Sequence, residues 1–364
     1  MDTYLFPIKI AMITFPLFAF VFTLPFAIFQ YKKYGYINRF RILVLFSFLL
    51  YLIVVFYLVI LPLPASRDIK STMKKDASYY NLLPFTFVSD LMREADFDVH
   101  VLSTYPNLLS ERSFLQVVFN FLMLMPFGIF LRYYFKCHFK KTLLLTLLLS
   151  LFFEVTQLTG LYGLYNAPYR LFDVDDLFLN TLGGAFGYLL APLFTFFLPK
   201  PSRLDDDVNL EAMRVSLFRR TLALGIDWFA LGLFSYLNDN ILIEVAVCFT
   251  YFILIVTATN GRTLGKWLTS TKVKGAGEKL TFKEAFVRYG LLYFGFFGLV
   301  GVLANAIAVL VALKDPYSVW MTVFAVLILA VISILFLVDL IRNSMRKERF
   351  FYEKISHTHL VVSK

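Results

Sequence analysis

Repeated runs of about 20 apolar residues set the strongest limit on how this chain can fold. A helix needs about 20 such residues to cross the hydrocarbon core of a bilayer. Of the 364 residues, 59% are hydrophobic and only 16% are charged. A soluble domain of this size has no use for so much apolar surface. The sequence therefore predicts an all-α, polytopic transmembrane protein.

The positions of the apolar runs and of the basic residues predict a topology. Lys and Arg concentrate in every second loop and after the last span. Because cytoplasmic loops carry the excess of Lys and Arg, this alternation predicts the N-terminus outside and the C-terminus inside. It also explains the net charge of +10 without nucleic acid as a partner. We predict about nine spans, at residues 8–29, 40–62, 114–135, 142–160, 174–198, 216–236, 240–259, 285–313 and 318–341.

Two polar segments divide the chain. The long loop 63–112 carries both signs of charge, and the topology predicts that it lies outside. The segment 199–215 contains Pro201 and three consecutive Asp residues, a composition typical of a linker. We therefore predict a module of five spans at 1–198, a cytoplasmic linker, and a module of four spans at 216–364.

A dense polar cluster lies where the fourth span ends and the fifth begins. Glu154 and Gln157 are three residues apart and share a helix face, as do Asp176 and Asn180. Polar groups at membrane depth are costly, which makes them candidates for function. A structural alternative, in which Arg170 pairs with an Asp and pins the turn, stays open. The predicted outer site comprises Asn81, Asn120, Glu154, Gln157, Arg170, Asp173, Asp176 and Asn180.

The same residues give little reason to expect a metal or a cofactor. Carboxylates of the cluster, including Asp175, are hard oxygen ligands that a divalent cation could use. No second motif supports metal chemistry, and no Cys and His spacing matches a metal site. We therefore predict no metal and no cofactor. Cys137 and Cys248 lie at different predicted depths, so we expect no disulfide.

Four polar motifs follow one another along the first module: Asn81-Leu-Leu-Pro-Phe85, Asn120 with Pro126-x-Gly128, Glu154-x-x-Gln157, and Arg170-x-x-Asp173-x-x-Asp176-x-x-x-Asn180-x-x-Gly183. Their order and spacing resemble the VanZ-like family over about residues 10–198. That family consists of bacterial integral membrane proteins, and its named member is linked to low-level resistance to teicoplanin, a lipid-tailed glycopeptide. The resemblance implies a multi-pass protein of the bacterial plasma membrane.

The second module has its own series of motifs: Arg219-Arg220-x-x-Ala223-x-x-x-Asp227-Trp228, Gly261-x-Thr263-x-Gly265-Lys266, Arg288 and Thr358-x-x-Val361-Val362. This series is similar to the RDD family, which is named for one arginine and two aspartates. The similarity implies that Arg219 or Arg220 and Asp227 supply the first two named residues. The second aspartate is either replaced by Glu353 or supplied by Asp339. We predict an inner network, with helix–helix contact as the alternative role, of Arg219, Arg220, Asp227, Arg288 and Asp339.

These observations favour a non-enzymatic envelope protein. The VanZ resemblance implies low-level resistance to teicoplanin or other lipoglycopeptides, exerted at the outer face of the membrane. The expected partners are membrane lipids and a lipoglycopeptide or cell-wall precursor. A transporter or lipid flippase that uses polar sites in both modules is an alternative. An intramembrane enzyme acting on a lipid-linked substrate, with Glu154 and Asp176 as paired carboxylates, is a second.

Overall fold

The prediction of an all-α polytopic membrane protein is confirmed. The computed structural model describes residues 2–72, 78–94, 111–236, 240–313, 316–346 and 348–363, and it is 72% helical. Parts of the predicted outer loop, residues 73–77 and 95–110, lie outside the described residues. Within the described residues, eight helical stretches are long and apolar enough to cross a membrane: Leu5–Tyr34, Arg39–Ile60, Arg112–Tyr133, Phe139–Leu158, Val174–Thr195, Ile241–Ala258, Phe282–Leu313 and Pro316–Met345.

One predicted span differs from the other eight. The helix Leu217–Ser235 forms where the sixth span was predicted, and its 19 residues are long enough for a crossing. It carries Arg219, Arg220 and Asp227, however, and three charges make it too polar to count as a span by composition. All three charged side chains are largely buried within the protein.

The chain forms two compact units. The first contains residues 1–22 and 38–206, and the second contains 23–37 and 207–364. The boundary after residue 206 falls inside the segment predicted as a linker. Residues 23–37, from the end of the first helix and the turn after it, belong to the second unit.

The first unit is built around a tightly packed helix. Gly183 and Gly187, on the helix that follows the polar turn, lie against the carbonyls of Phe121 and Met125, where a Cβ would overlap the oxygen. A small residue is therefore required at both positions. The elements that involve this unit are α1 (Asp2–Tyr34), α2 (Arg39–Ile60), a 3₁₀ turn (Lys70–Thr72), β1 (Tyr80–Asn81), α3 (Thr86–Glu94), α4 (Arg112–Met123), α5 (Met125–Tyr133), α6 (Phe139–Leu158), α7 (Gly160–Gly163), β2 (Phe172–Asp173) and α8 (Val174–Thr195).

The third predicted span is two helices in line. Helix α4 ends at Met123 and α5 begins at Met125, with Leu124 in a non-helical conformation between them. Pro126 lies in the first turn of α5, where its missing N–H removes no helical hydrogen bond. The break therefore follows from the position of the proline.

The second unit has an aromatic core and a small antiparallel sheet. Phe252 and Tyr293 stack with their ring centroids 3.6 Å apart. Strands β3 and β4 pair in the register Thr271 with Val362, which returns the C-terminal segment to the unit. Its elements are α9 (Leu217–Ser235), α10 (Ile241–Phe249), a π-helix (Thr250–Ile255), α11 (Val256–Ala258), α12 (Leu264–Leu268), β3 (Thr271–Lys274), α13 (Phe282–Tyr289), a second π-helix (Gly290–Phe297), α14 (Gly298–Leu313), α15 (Pro316–Met345), α16 (Phe351–Ile355) and β4 (His359–Val362).

Candidate functional site

The start of α8 is joined to a segment about 90 residues earlier in the chain. Parallel pairing of β1 with β2 places Asn81 opposite Asp173. The Asn81 amide lies 3.4 Å from both carboxylate oxygens of Asp173. Asp173 also caps α8 by accepting a hydrogen bond of 2.9 Å from the Asp175 N–H. Burial raises the pKa of Asp173, although these hydrogen bonds act in the opposite direction.

Asp175 completes this junction. Its buried carboxylate accepts hydrogen bonds from the Phe85 N–H at 2.6 Å, the Thr86 hydroxyl at 2.8 Å and the Phe87 N–H at 3.1 Å. Charge-assisted hydrogen bonds of this kind are among the stronger ones in proteins. Sequence reasoning placed Asp175 only among possible oxygen ligands. The structure shows that it fixes the turn that precedes α3.

A cavity of about 430 Å³ lies at the end of the first unit where α2 and α6 end and α4 and α8 begin. Helical spacing accounts for its composition, because residues three or four apart present one face to the same space. Asn81 does not line the cavity but is held beside it by Asp173. The other seven residues of the predicted outer site all line it: Asn120, Glu154, Gln157, Arg170, Asp173, Asp176 and Asn180.

Three of the lining side chains bind backbone groups. A carboxylate oxygen of Glu154 accepts the Asp173 N–H at 3.0 Å. The Gln157 amide donates to the carbonyl of Val59 at 2.8 Å. The Arg170 guanidinium donates to the carbonyl at position 61 at 3.1 Å. Within the described residues Arg170 makes no salt bridge to an acid of the cluster, so its contribution to pinning the turn is this contact with a backbone carbonyl.

Two further contacts are between side chains. The Asn120 amide donates to Asp176 at 2.5 Å, which links α4 to α8. The Asn180 amide donates to the Ser150 hydroxyl at 2.9 Å, which links α8 to α6. The carbonyl oxygen of the Asn180 side chain is buried and has no hydrogen-bond partner among the described residues. Part of the cluster is therefore structural, and part of its polar capacity is unused.

Two polar residues of the cavity wall were missed by sequence reasoning. Arg112 and Gln116 line the cavity with Asn120, and the three are spaced by four residues on α4. That spacing was the signal that could have found them. Arg112 and Arg170 are exposed, whereas Glu154 is buried. Across the described ranges, no group of His, Cys, Asp and Glu side chains is arranged to hold a metal ion.

The sequence of this region matches a known family. Residues 48–195 match the family described as VanZ/LLP1. The chain contains a VanZ-like domain. All eight residues of the predicted outer site, and the cavity that seven of them line, lie within the matched range. No curated protein and no solved structure matches the chain.

The range that matches the VanZ/LLP1 family contains no residue of the second unit, so the RDD resemblance rests on its motif residues alone. The structure brings several of them together around Asp227, which is fully buried. Its carboxylate accepts hydrogen bonds from the Thr263 hydroxyl at 2.6 Å, the Gly265 N–H at 2.7 Å and the Tyr251 hydroxyl at 2.7 Å. Lys266 lies 3.8 Å from the same carboxylate.

The two adjacent arginines of α9 have different partners. Arg219 is buried and donates to three backbone carbonyls, those of Gly35, Thr269 and Ser270, at 2.6 to 2.8 Å. Arg220 instead forms a salt bridge of 2.6 Å with Glu353. Arg219 is therefore a structural cation that holds three loop carbonyls of the second unit.

Glu353 also joins Arg288 to this network. The Glu353 carboxylate lies 3.1 Å from Arg288, and Arg288 donates to the Thr358 hydroxyl at 2.7 Å. Burial raises the pKa of Glu353, but the charges of Arg288 and Arg220 outweigh burial and hold it below its ordinary value. Asp339 lies outside this network, where it accepts hydrogen bonds from the Asn343 amide and the Phe351 N–H.

Proposed function

We propose that the VanZ-like domain binds a lipid-tailed envelope molecule in the 430 Å³ cavity and thereby gives low-level resistance to teicoplanin or a related lipoglycopeptide. The proposal is supported by one observation above all: seven of the eight predicted outer residues line a single cavity. A cluster that only pinned a turn would not need an open cavity shared by four helices. A lipid-linked cell-wall precursor has the same amphiphilic chemistry and is the alternative ligand.

The cavity wall suits a ligand with an anionic group and many hydrogen-bonding groups. The exposed guanidiniums of Arg112 and Arg170 can each bind a carboxylate or phosphate in a bidentate manner. The unused oxygen of Asn180 can accept a hydrogen bond from a hydroxyl or amide. Phe119 and Phe153 also line the cavity, and they offer apolar contact to an acyl chain.

The proposed side of action follows from the basic loops. The cavity is at the opposite end of α6 from Lys140 and Lys141, which begin that helix. Because Lys and Arg mark cytoplasmic loops, this arrangement favours an outward-facing cavity. This orientation can be tested with a variant in which cysteine replaces Gln116. In intact cells, a membrane-impermeant thiol reagent should label this cysteine if the cavity faces outward.

Binding and susceptibility measurements on matched arginine variants test the proposal. Arg112→Gln and Arg170→Gln each remove one exposed cation from the cavity, and each should weaken binding of fluorescent teicoplanin to the purified protein by about tenfold. Arg93→Gln is the control, because Arg93 is an exposed arginine of the same unit that pairs with Asp90. Cells that express the two cavity variants should lose protection, whereas Arg93→Gln should keep it.

Unchanged binding and full protection in both cavity variants, at normal expression, would rule out an anionic group held by these arginines. If the Arg93→Gln control bound teicoplanin as weakly as the two cavity variants, the loss of binding would be due to surface charge and not to the cavity.

We also propose that the second unit is an RDD-like module. This proposal is supported by the convergence of motif residues on Asp227 and on Glu353, since Thr263, Gly265 and Lys266 meet the first. Gly265 is required there because a Cβ would overlap the Ala223 carbonyl. A Gly265→Ala variant should therefore lower the Tm of the purified protein, and an unchanged Tm would contradict the role of this contact.

A further inference from the structure

The second unit contains a separate cavity of about 100 Å³ beside the Glu353 network. Of the described residues that line it, Arg220, Lys266 and Arg288 are cations and none is a carboxylate. All the charged side chains that line this cavity are therefore positive.

The carboxylates behind this wall do not balance its charge. Glu353 is shared by Arg220 and Arg288, and Asp227 is the carboxylate nearest to Lys266. Three cations thus face two carboxylates, and one positive charge is uncompensated. An unbalanced buried charge is costly unless a further partner neutralises it. A bound anion would supply that partner.

Two buried hydrogen-bond donors of the cavity wall are unused. The Nε of Arg288 and the hydroxyl of Tyr289 have no hydrogen-bond partner within the part of the chain that the structure describes. The two residues are only 2% and 1% exposed. Buried polar groups are almost always paired, so two unpaired donors on residues that line a cationic cavity indicate an acceptor-rich ligand. Phosphate oxygens fit this requirement, because they form strong, charge-assisted hydrogen bonds with such donors.

The volume of the cavity and the apolar residues of its wall indicate the kind of ligand more closely. A volume of about 100 Å³ corresponds to roughly three water molecules, which leaves room for one phosphate group. Leu292, Phe297, Phe336 and Leu340 form an apolar part of the same wall. They belong to the helical stretches Phe282–Leu313 and Pro316–Met345, which are apolar enough to lie among lipid chains.

We propose that this cavity binds the phosphate of an anionic membrane lipid, with Arg220, Lys266, Arg288 and Tyr289 around the phosphate and the acyl chains along the apolar wall. The π-helix Gly290–Phe297 forms part of this wall, and such helices occur frequently at functional sites. Inorganic phosphate offers the same oxygens without the chains, so the two sources of phosphate can be separated by experiment.

Thermal unfolding and native mass spectrometry of the full-length protein in detergent test this proposal. Dioleoyl phosphatidate should raise the Tm in a saturable way, whereas dioleoyl phosphatidylcholine should not, because its choline covers the phosphate and neutralises its charge. Tyr289→Phe should weaken phosphatidate binding by about tenfold. This variant removes an unpaired hydroxyl and keeps the ring that stacks on Phe252, so the fold should persist.

Lys283→Gln is the matched control, because Lys283 is an exposed cation of the same unit, and its binding of phosphatidate should equal that of the unmodified chain. Stabilisation by inorganic phosphate that is lost in Tyr289→Phe would support the phosphate site with a free ion as its source. The proposal is overturned if neither phosphatidate nor phosphate binds more tightly than phosphatidylcholine. It is equally overturned if Tyr289→Phe and Lys283→Gln bind phosphatidate alike.

Discussion

Replacing one buried carboxylate should unfold the second unit at a much lower temperature. Glu353 is 1% exposed and lies within 3.1 Å of both Arg220 and Arg288. Glu353→Gln keeps the shape of the side chain but leaves two guanidiniums without their shared carboxylate. Removing one partner of a buried ion pair costs about 3–5 kcal/mol. For a unit of this size, that cost corresponds to a fall of about 10 °C in Tm.

A second glutamate a few residues earlier provides the matched control. Glu348 pairs with Lys354 at 2.9 Å, but both side chains are about half exposed. Exposed ion pairs contribute little to stability because water screens them. Glu348→Gln should therefore change the Tm by no more than about 2 °C. Differential scanning fluorimetry of both variants in the same detergent gives the comparison.

The pH dependence of the Tm tests the same reasoning in a second way. The pKa of Glu353 in the folded protein lies below its ordinary value of 4.5. Its contribution to stability is therefore fully present above about pH 4.5 and is lost as the pH falls further. The Tm of the unmodified protein should fall more steeply below pH 4.5 than that of Glu353→Gln. Equal Tm shifts for the two glutamate variants, together with parallel pH curves, would refute the account of a buried, shared carboxylate.

Two further pairs of variants test the first unit and helix packing. Asp175→Asn should speed hydrogen exchange at the Phe85 N–H by about tenfold or more, because that N–H loses a charged acceptor. The control Asp90→Asn, at a half-exposed position, should leave this exchange unchanged. Equal exchange rates in the two variants would contradict the role of Asp175. Gly187→Ala should lower the Tm because its Cβ would overlap the Met125 carbonyl, whereas Gly225→Ala, with no atom within 4 Å of its Cβ, should raise stability by up to about 1 kcal/mol. Tm shifts of the same sign for the two glycine variants would count against the packing argument.

The fold class and most of the polar residues of the cavity wall could be predicted because both depend on local pattern. Apolar runs of the right length define membrane helices, and a spacing of three or four residues places Glu154 with Gln157 and Asp176 with Asn180. The role of Asp175 could not be predicted in this way. Its partners lie about 90 residues earlier, and no spacing within one helix shows a contact that depends on how separate segments meet.

The inner network shows why burial, more than residue type, decides the partner of a buried arginine. By sequence, the second acidic residue of the RDD resemblance is either Glu353 or Asp339, and Asp339 is the one that lies in an apolar span. Glu353 follows the last span and reads as a tail residue. The pairing of β4 with β3 returns that tail to the unit, and it buries Glu353 between Arg220 and Arg288. A carboxylate outside the spans can therefore neutralise buried arginines on the helices of the unit, provided that a strand fixes the tail. Removing the β3–β4 pairing should then destabilise the unit about as much as removing the Glu353 charge itself.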